Sequence, residues 1–337
     1  MEKRIVQKQT IDNQEIIEYS IKTPELEVRF INLGGVITKI AMAQDGFAEN
    51  LVLNYDNYAD YIVNEGYINA IVGRTSNRIT KGEFELEGKK IQLDQNAGGH
   101  NLHGGVQNLT HSFFTVEEVE KGYAMSAMLP AQDKGFPGNL NVTVRYEIVA
   151  AELKITYEAT TDATTIVNLT QHAYFNLSGS ASRSIYEHEL MIAAPNVAII
   201  DETSAFSQEL LPVSGTRFDF TNERLVDPSP YDEHYLFDNT NGYDHLMVLS
   251  PDVDTIVKLK DPVSGRVMTM SSTEPSMQFY AGNFLSDSQV FENGLLGRPH
   301  MAACFETHRI PFDFASQTIH PGEVYKQVTS FKFSLEG

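Results

Sequence analysis

The sequence predicts an all-β protein: a large antiparallel β-sandwich with only a few short helical turns. Three observations lead to this prediction. Apolar residues alternate at period two along many short segments, turn-forming residues separate those segments, and no long segment shows helical spacing. The 337 residues, 42% of them hydrophobic, suffice for a large core. Because all-β sandwiches can exceed ~200 residues as one domain, we expect a single domain over residues 1–337.

The individual elements follow from local patterns. Glycine and proline mark turns, whereas alternation of buried and exposed side chains marks strands. In chain order we predict a helical turn at 58–63, a hairpin over 83–93 turning near Gly88, strands at 141–149 and 153–157, a hairpin over 255–270 turning at 261–265, and a last strand around Phe331 and Phe333.

Two stretches rich in Pro, Gly and Asn, residues 228–242 and 287–299, are predicted to be long loops. Loops of this length in a compact domain usually shape a binding site. We find no fixed-period repeat, which disfavours a propeller or solenoid, and no low-complexity linker that would divide the chain.

The charge balance excludes several classes of partner. The chain has 25 Lys and Arg against 45 Asp and Glu, a net charge of −20. Nucleic acids and anionic membranes both need a basic surface, so we expect neither as a partner. The one cysteine, Cys304, cannot form an intramolecular disulfide, and residues 1–14 lack the apolar core of a signal peptide. With no apolar run as long as a membrane span, we expect a cytoplasmic protein.

Residues 168–177 form the most informative stretch of the chain. Written as a strand, it places Asn168, Thr170, His172, Tyr174 and Asn176 on one face and mostly apolar side chains on the other. The polar face carries no Lys or Glu but has hydrogen-bonding groups, an aromatic ring and one group that titrates near neutral pH. A lone histidine is more often a satisfied, half-buried residue, but these neighbours favour the wall of a polar cleft with His172 at its centre.

A glycine-rich loop over residues 98–105 presents two histidines, His100 and His103. Glycines on both sides let a ligand or another chain approach the backbone closely. The spacing of three residues could supply two metal ligands, but no further ligand lies in the same segment. The loop is therefore a weak metal motif and a better candidate for presenting one imidazole.

Glu306 follows five uncharged, largely apolar residues, which is unusual for a carboxylate. It can point to water from an edge strand. Alternatively, a register that groups it with Ala302 and Cys304 places it in a sheltered pocket. Shelter would raise the pKa of this carboxyl group and make it a better base near neutral pH.

Further polar residues fit a polyhydroxylated ligand. The turn at residues 73–78 offers Asn77 and Arg78, and Asp244 and Gln278 add an acceptor and an amide. A phosphate would also satisfy the arginines, and surface salt bridges are the ordinary explanation for them. We find no phosphate loop, dinucleotide motif or Gly-x-Ser-x-Gly elbow, and nothing that calls for a redox or group-carrying cofactor.

Several ordered motifs together resemble the aldose 1-epimerase family, the galactose mutarotases, over almost the whole chain. The motifs are Asn32-Leu33-Gly34-Gly35, Gly73-Arg74, Asn77-Arg78-Ile79, Asn101-Leu102-His103-Gly104-Gly105, Gly135-Phe136-Pro137-Gly138, His172-Ala173-Tyr174-Phe175-Asn176-Leu177, Tyr243-Asp244-His245, Gln278-Phe279-Tyr280, Phe305-Glu306-Thr307 and Pro321-Gly322-Glu323.

The resemblance implies a galactose mutarotase-like supersandwich that interconverts the α and β anomers of a free aldose, with no metal or cofactor, as a monomer or homodimer. It implies that Glu306 is the catalytic base, His172 the catalytic acid and His103 a second active-site histidine. The sugar-contacting positions it implies are Asn77, Arg78, Tyr174, Asp244 and Gln278.

Two features of the chain depart from the family pattern. It has no Trp, and Phe113 and Phe114 occupy the neighbourhood where many relatives carry one. The segment 307–313 after Glu306 is also unlike the usual run. Both departures bear on sugar preference more than on reaction type.

The implied mechanism requires His172 to be an imidazolium near pH 7, and a nearby carboxylate would raise its pKa. Three other functions remain open at this point. They are a sugar-binding or sensing module without catalysis, a metal-dependent isomerase with His100, His103, His172 and Glu306 as ligands, and a hexose-6-phosphate mutarotase in which Arg74 or Arg309 reads the phosphate.

Overall fold

The protein is described by a computed structural model covering residues 1–132, 135–229, 235–238 and 240–336. It is mostly β. The strands are β1 Glu2–Ile11, β2 Gln14–Lys22, β3 Leu26–Ile31, β4 Ile37–Met42, β5 Ile71–Val72, β6 Arg78–Ile79, β7 Glu83–Leu86, β8 Lys89–Gln92, β9 Asn101–Leu102, β10 Thr115–Val119, β11 Gly122–Leu129, β12 Leu140–Val149, β13 Glu152–Thr161 and β14 Thr165–Ile166. The chain continues with β15 Thr170–Gln171, β16 Glu189–Ile192, β17 Asn196–Ile200, β18 Phe206–Pro212, β19 Arg224–Leu225, β20 Asp244–Val248, β21 Val257–Lys260, β22 Arg266–Ser272, β23 Ser276–Tyr280, β24 Val290–Phe291, β25 Leu295–Leu296, β26 Cys304–His308, β27 Thr318–Ile319 and β28 Tyr325–Leu335.

Helices are few and short in the described residues. The α-helices are α1 Asp60–Val63, α2 Tyr235–Asp238 and α3 Phe314–Gln317, and the 3₁₀ turns are Ala43–Asp45, Thr80–Gly82, Ile185–Glu187 and Glu292–Gly294. None of the helices in the described part of the chain has the length and apolar character needed to cross a membrane.

The predicted hairpins and strands are confirmed. β7 and β8 pair around Gly88, β21 and β22 pair around 261–265, and β12, β13 and β28 lie side by side in one sheet. Alternation in β12 explains why this strand could be predicted: Val142, Val144, Tyr146 and Ile148 are buried, and the residues between them are not.

Two large antiparallel sheets enclose the main core. The larger has nine strands in the order β10-β11-β12-β13-β28-β22-β21-β16-β19, and the other has five in the order β18-β17-β20-β23-β26. Phe175 contacts the inner faces of both sheets, with ring centroids 5.1 Å from Phe331 of β28 and 6.4 Å from Phe305 of β26. Apolar residues of both sheets form one buried cluster, which is the sandwich architecture predicted from the sequence.

Residues 168–177 are not the single ten-residue strand that their alternation predicts. Only Thr170–Gln171 forms a strand, β15, which pairs with β5, and all ten residues are buried on both faces. The side chain of Asn168 donates to the Arg309 carbonyl, and that of Asn176 donates to the carbonyls of Arg183 and Met301. These polar residues therefore hold distant backbone in place and do not face water.

Arg74 is a buried structural residue. It is 1% exposed, and its guanidinium donates to the carbonyls of Leu129, Pro130, Pro137 and Gly138 and to the Thr165 hydroxyl. Burial lowers its pKa to about 10. The arginine thus joins the end of β11 to the segment that leads into β12.

We expect Arg74→Met to lower the free energy of unfolding by roughly 3 kcal/mol or more, because several buried carbonyls would lose their donors. Chemical denaturation measures this change. Arg4→Met is the control, since Arg4 lies in an exposed ion pair with Glu2 at 3.7 Å and its loss should cost less than about 0.5 kcal/mol. A change below about 1 kcal/mol in Arg74→Met would contradict the structural role.

Candidate active site

One cavity of about 160 Å³ brings together the eight site residues that the family resemblance implies. Its wall includes Asn77, Arg78, His103, His172, Tyr174, Asp244, Gln278 and Glu306. They come from separate segments, of which β23 and β26 are neighbours in the five-stranded sheet. The cavity lies where this sheet meets the buried segment 168–177.

Glu306 and His172 form the centre of the cavity. Nε2 of His172 lies 3.4 Å from Oε1 of Glu306, and the two residues are 5% and 2% exposed. The backbone bridge between Phe175 and Ala303 places the two segments side by side. Because the two side chains are in contact and shielded from bulk water, one of them can take a proton from a bound ligand while the other donates a proton to it.

The environment of Glu306 matches the sheltered register predicted from the sequence. Cys304 and Glu306 alternate along β26, and Gln278 lies opposite Glu306 on β23. Burial raises the pKa of the Glu306 carboxyl group well above its usual value, and the negative charge of Asp244 raises it further. Arg78 opposes this shift only in part.

His172 differs from its predicted charge state. Burial lowers its pKa to about 4, so the expectation that a nearby carboxylate would raise this pKa was wrong. Burying an ion pair costs more desolvation free energy than its attraction returns, unless further hydrogen bonds satisfy the two charged groups. Nδ1 of His172 has no hydrogen-bond partner among the described residues, so this condition is not met. In the sugar-free cavity, burial therefore favours the neutral carboxyl group of Glu306 and the neutral imidazole of His172.

Aromatic rings surround the imidazole of His172. The Tyr174 ring stacks on it with centroids 5.0 Å apart and planes 24° apart, and Tyr280 meets it edge-on at 6.2 Å. The Tyr174 hydroxyl donates to the Gly66 carbonyl at 2.7 Å. Tyr174 thus contributes its ring to the cavity while its hydroxyl is engaged within the protein.

His103 is held in one tautomer. Its Nδ1 accepts a hydrogen bond from the backbone N–H of Asn77 at 3.2 Å, so Nε2 carries the proton. Burial and the neighbouring His172 lower the pKa of His103 well below its usual value. The ring is therefore a neutral hydrogen-bond donor in the cavity.

This tautomer argues against a metal centre at the cavity. Ligand atoms of His103, His172 and Glu306 lie within 4.8 Å of one another, which is close enough to hold an ion. A metal at Nε2 of His103 would, however, move the proton to Nδ1, where it would face the Asn77 N–H. His100, the fourth ligand of the metal hypothesis, is not part of the cavity lining. Its Nδ1 accepts a hydrogen bond from the backbone N–H of Lys81, and its Nε2 is hydrogen-bonded to the Thr203 hydroxyl.

A hydrogen-bonded chain of side chains crosses the cavity wall. Nδ2 of Asn77 donates to Oε1 of Gln278 at 2.7 Å, and Nε2 of Gln278 donates to Oδ1 of Asp244 at 2.7 Å. Asn77 Oδ1 accepts the backbone N–H of Arg78 at 2.8 Å. These bonds fix the positions of three groups that can bind hydroxyls.

Arg78 is the arginine that the structure places in the cavity. Among the described residues no carboxylate lies within salt-bridge distance of it. Arg74 is buried elsewhere, and Arg309 packs over the Tyr325 ring at 4.7 Å, with Glu274 4.0 Å away. The idea that Arg74 or Arg309 reads a phosphate in this cavity was therefore wrong.

The sequence did not reveal all of the cavity. Gly66, Tyr67, Leu102, Tyr280 and Phe284 also line it. Tyr280 belongs to the recognised segment 278–280, whereas Tyr67 and Phe284 carried no local signal. No residue of the loop 287–299 contributes to the lining, so the expectation that this loop shapes the site was wrong. The loop 228–242 lies partly outside the described residues, at 230–234 and 239.

Comparison with known proteins gives consistent matches over the chain. The profile described as aldose 1-epimerase matches residues 18–332. A galactose mutarotase of Sus scrofa is 35% identical over 326 residues, covering 94% of each chain, and an aldose 1-epimerase of Escherichia coli is 30% identical over 87% of each. The crystal structure of an aldose epimerase homologue from C. elegans superposes with a TM-score of 0.87 at 26% identity, covering 96% of this chain and 99% of that one.

Proposed function

We propose that this chain, which belongs to the aldose 1-epimerase family, interconverts the α and β anomers of free hexoses such as galactose and glucose. The observation that carries the proposal is the buried Glu306–His172 pair, which holds one proton and opens onto a polar cavity. Ring opening of a cyclic aldose needs one proton removed and one donated, which is what such a pair supplies.

On sugar binding, the proton of the pair moves from Glu306 to His172. In the proposed first step, the ionised Glu306 then takes the proton of the anomeric hydroxyl, and His172 donates its proton to the ring oxygen. The bond between the ring oxygen and the anomeric carbon breaks, and the open-chain aldehyde forms. The carboxyl group is now protonated and the imidazole is neutral. Each proton transfer is worth ~10²–10⁴ in rate.

In the second step, rotation about the bond between the first two carbons presents the other face of the carbonyl. His172 takes the proton from the hydroxyl that was the ring oxygen, and Glu306 returns its proton to the carbonyl oxygen. The ring closes as the other anomer. The neutral pair found in the sugar-free cavity is thus the charge state that accompanies the open-chain intermediate.

The remaining residues have binding roles in this proposal. The Nε2–H of His103 donates to an oxygen of the sugar and stabilises charge that develops there. Asn77, Arg78, Asp244 and Gln278 bind ring hydroxyls, and the Tyr174 ring packs against His172. Because ring opening and reclosure leave the oxidation level of the sugar unchanged, the proposed reaction requires no redox cofactor, and Glu306 and His172 supply the base and the acid without a metal.

A sugar-binding module without catalysis is the competing function. It has no use for a buried acid–base pair, whose burial costs stability.

We further propose that the chain forms one cytoplasmic domain that acts as a monomer or homodimer. The free, buried Cys304 is consistent with a reducing compartment.

A polarimetric screen tests the proposed function. Freshly dissolved α-anomers of glucose and galactose should equilibrate much faster with the protein than in buffer, and exhaustive chelation should leave the rate unchanged. The 6-phosphates should give at least tenfold lower kcat/KM, because Asp244 opposes an anion and Arg78 is the single Lys or Arg side chain among the described residues that line the cavity. Binding of free sugars without faster equilibration would instead support the binding module.

A further inference from the structure

Tyr67 lies in a segment with an unusual backbone. Between α1 and β5, residues Asn64, Gly66, Tyr67 and Asn69 have φ angles of 43°, 83°, 56° and 54°. Glycine and asparagine adopt this left-handed region readily, whereas a large aromatic residue does so rarely. Such outliers persist where the surrounding structure holds them in place, and they concentrate at functional sites.

The segment is joined to the backbone around His172. The Asn69 N–H donates to the His172 carbonyl at 3.1 Å, and the His172 N–H donates to the Ala70 carbonyl at 2.9 Å. The Asn69 side chain accepts the N–H of Tyr174 at 2.8 Å. Tyr67 is therefore held at a fixed position relative to both His172 and Tyr174.

Two tyrosine rings stack near the imidazole of His172. The Tyr67 ring is 6.1 Å from the His172 ring with planes 26° apart, and the Tyr174 ring is 5.0 Å away with planes 24° apart. Tyr67 also meets the His103 ring edge-on at 4.6 Å. The imidazole of His172 thus has two phenol rings nearly parallel to it.

We propose that Tyr67 is a positioning residue that, together with Tyr174, stabilises the imidazolium of His172 through stacked aromatic rings during the reaction. The inference rests on the proposed function, in which His172 is charged in the reactive closed-ring complex and neutral in the open-chain complex. An aromatic face attracts a cation placed over it. The attraction therefore acts only when the proton is on His172, and it favours formation of the reactive closed-ring complex, in which His172 carries the proton that it donates to the sugar.

Other ionisable groups around His172 also influence its charge. In the reactive closed-ring complex, the ionised Glu306 and Asp244 favour the charged imidazole, whereas the positive charge of Arg78 opposes it and the neutral His103 adds no charge. Tyr174 and Tyr280 stay neutral because burial raises the pKa of both phenols. The contribution of Tyr67 is distinct from these because it comes from the ring and not from an ionised group.

The Tyr67 hydroxyl is not part of this arrangement. It accepts a hydrogen bond from Nδ2 of Asn96 at 3.4 Å, at the exposed rim of the cavity. Phenylalanine should therefore replace Tyr67 without loss, whereas a side chain without a ring should not.

Tyr67→Phe and Tyr67→Leu test the proposal. We expect kcat for anomer exchange to stay within twofold of wild type in Tyr67→Phe, and to fall roughly 3- to 30-fold in Tyr67→Leu with an unchanged KM. In sugar-free protein, an NMR titration of labelled histidine should show a lower pKa for His172 in Tyr67→Leu. Phe206→Leu is the control, because this partly buried ring is not part of the cavity lining and its loss should leave kcat unchanged.

Several results would overturn the proposal. A folded Tyr67→Leu protein with wild-type kcat and an unshifted His172 pKa would do so, as would equal losses in Phe and Leu variants. A raised KM with unchanged kcat would make Tyr67 a platform for the sugar instead. If Tyr67→Leu does not fold, Tyr67→Asn replaces it, because asparagine tolerates positive φ. Since the NMR titration needs no sugar, its outcome is independent of whether the proposed function holds.

Discussion

Glu306→Gln is expected to lower kcat for anomer exchange by ~10²–10⁴ while sugar binding is retained. Glutamine matches the size of the protonated carboxyl group and can donate to Nε2 of His172, which lies 3.4 Å from the carboxylate in the native protein. It cannot, however, accept a proton from the anomeric hydroxyl. Polarimetry gives the rate, and titration calorimetry gives the affinity for the sugar.

Glu274→Gln is the matched control for this experiment. Glu274 is also buried, with a pKa raised by burial, but it lies outside the cavity beside Arg309. Its substitution should leave kcat unchanged. A wild-type rate in Glu306→Gln would remove Glu306 from the proposed mechanism.

Glu306→Gln should also be more stable than the wild type at neutral pH. The pKa of Glu306 is higher in the folded protein than in the unfolded chain. As pH rises above about 4.3, the unfolded chain therefore loses its proton first and the wild type loses stability. Glutamine avoids this loss, so the stability difference should shrink towards zero below about pH 4, which thermal unfolding across pH can measure.

His172→Asn is expected to lower kcat by ~10²–10⁴ as well, because the ring oxygen would lose its proton donor. Asparagine keeps a polar group beside Glu306 but has no group that titrates. His188→Asn is the control, since burial also lowers the pKa of His188 to about 4 and this residue lies outside the cavity. Circular dichroism should accompany both variants, because His188 accepts the Leu177 N–H at 3.1 Å.

The pH dependence of kcat/KM in the wild type provides a second measurement for His172. The reactive form of the Glu306–His172 pair carries one proton. Activity should therefore fall below about pH 4, where protonation of His172 gives the pair a second proton. Activity should also fall above the raised pKa of Glu306, where the pair loses its one proton. The acid limb should be absent from the residual activity of His172→Asn. An acid limb near pH 6.5 in the wild type would show that burial does not govern this histidine.

The fold could be predicted from the sequence wherever a strand has one buried face. β12 alternates without interruption, and the turn around Gly88 separates β7 from β8, so both were predicted with their approximate bounds. The segment 168–177 misled the same reasoning because both of its faces are buried. Its polar side chains bond backbone 125 and 141 residues away, as Asn176 does with Met301 and Asn168 with Arg309, and no local pattern reveals such partners.

The composition of the cavity could be predicted because its eight proposed residues carry polar, ionisable or aromatic groups within recognisable motifs. The function of each group could not be predicted in the same way. Arg74 and Arg78 lie four positions apart, yet one bonds buried carbonyls and the other lines the cavity. Tyr67 carried no local signal, because its proposed role depends on its contact with the ring of His172, which lies far from it in sequence.

By itself, the sequence determined the β-rich class and the individual hairpins, because these depend on residue type and on spacing along the chain. The acid and base roles of His172 and Glu306 came from the family resemblance and stay a proposal. Only the tertiary structure decided that burial raises the pKa of Glu306, that His103 is a donor through Nε2 and that two tyrosine rings stack near His172. The physical reason is that charge states and tautomers depend on desolvation and on hydrogen-bond partners, which segments far apart in sequence supply when the chain folds.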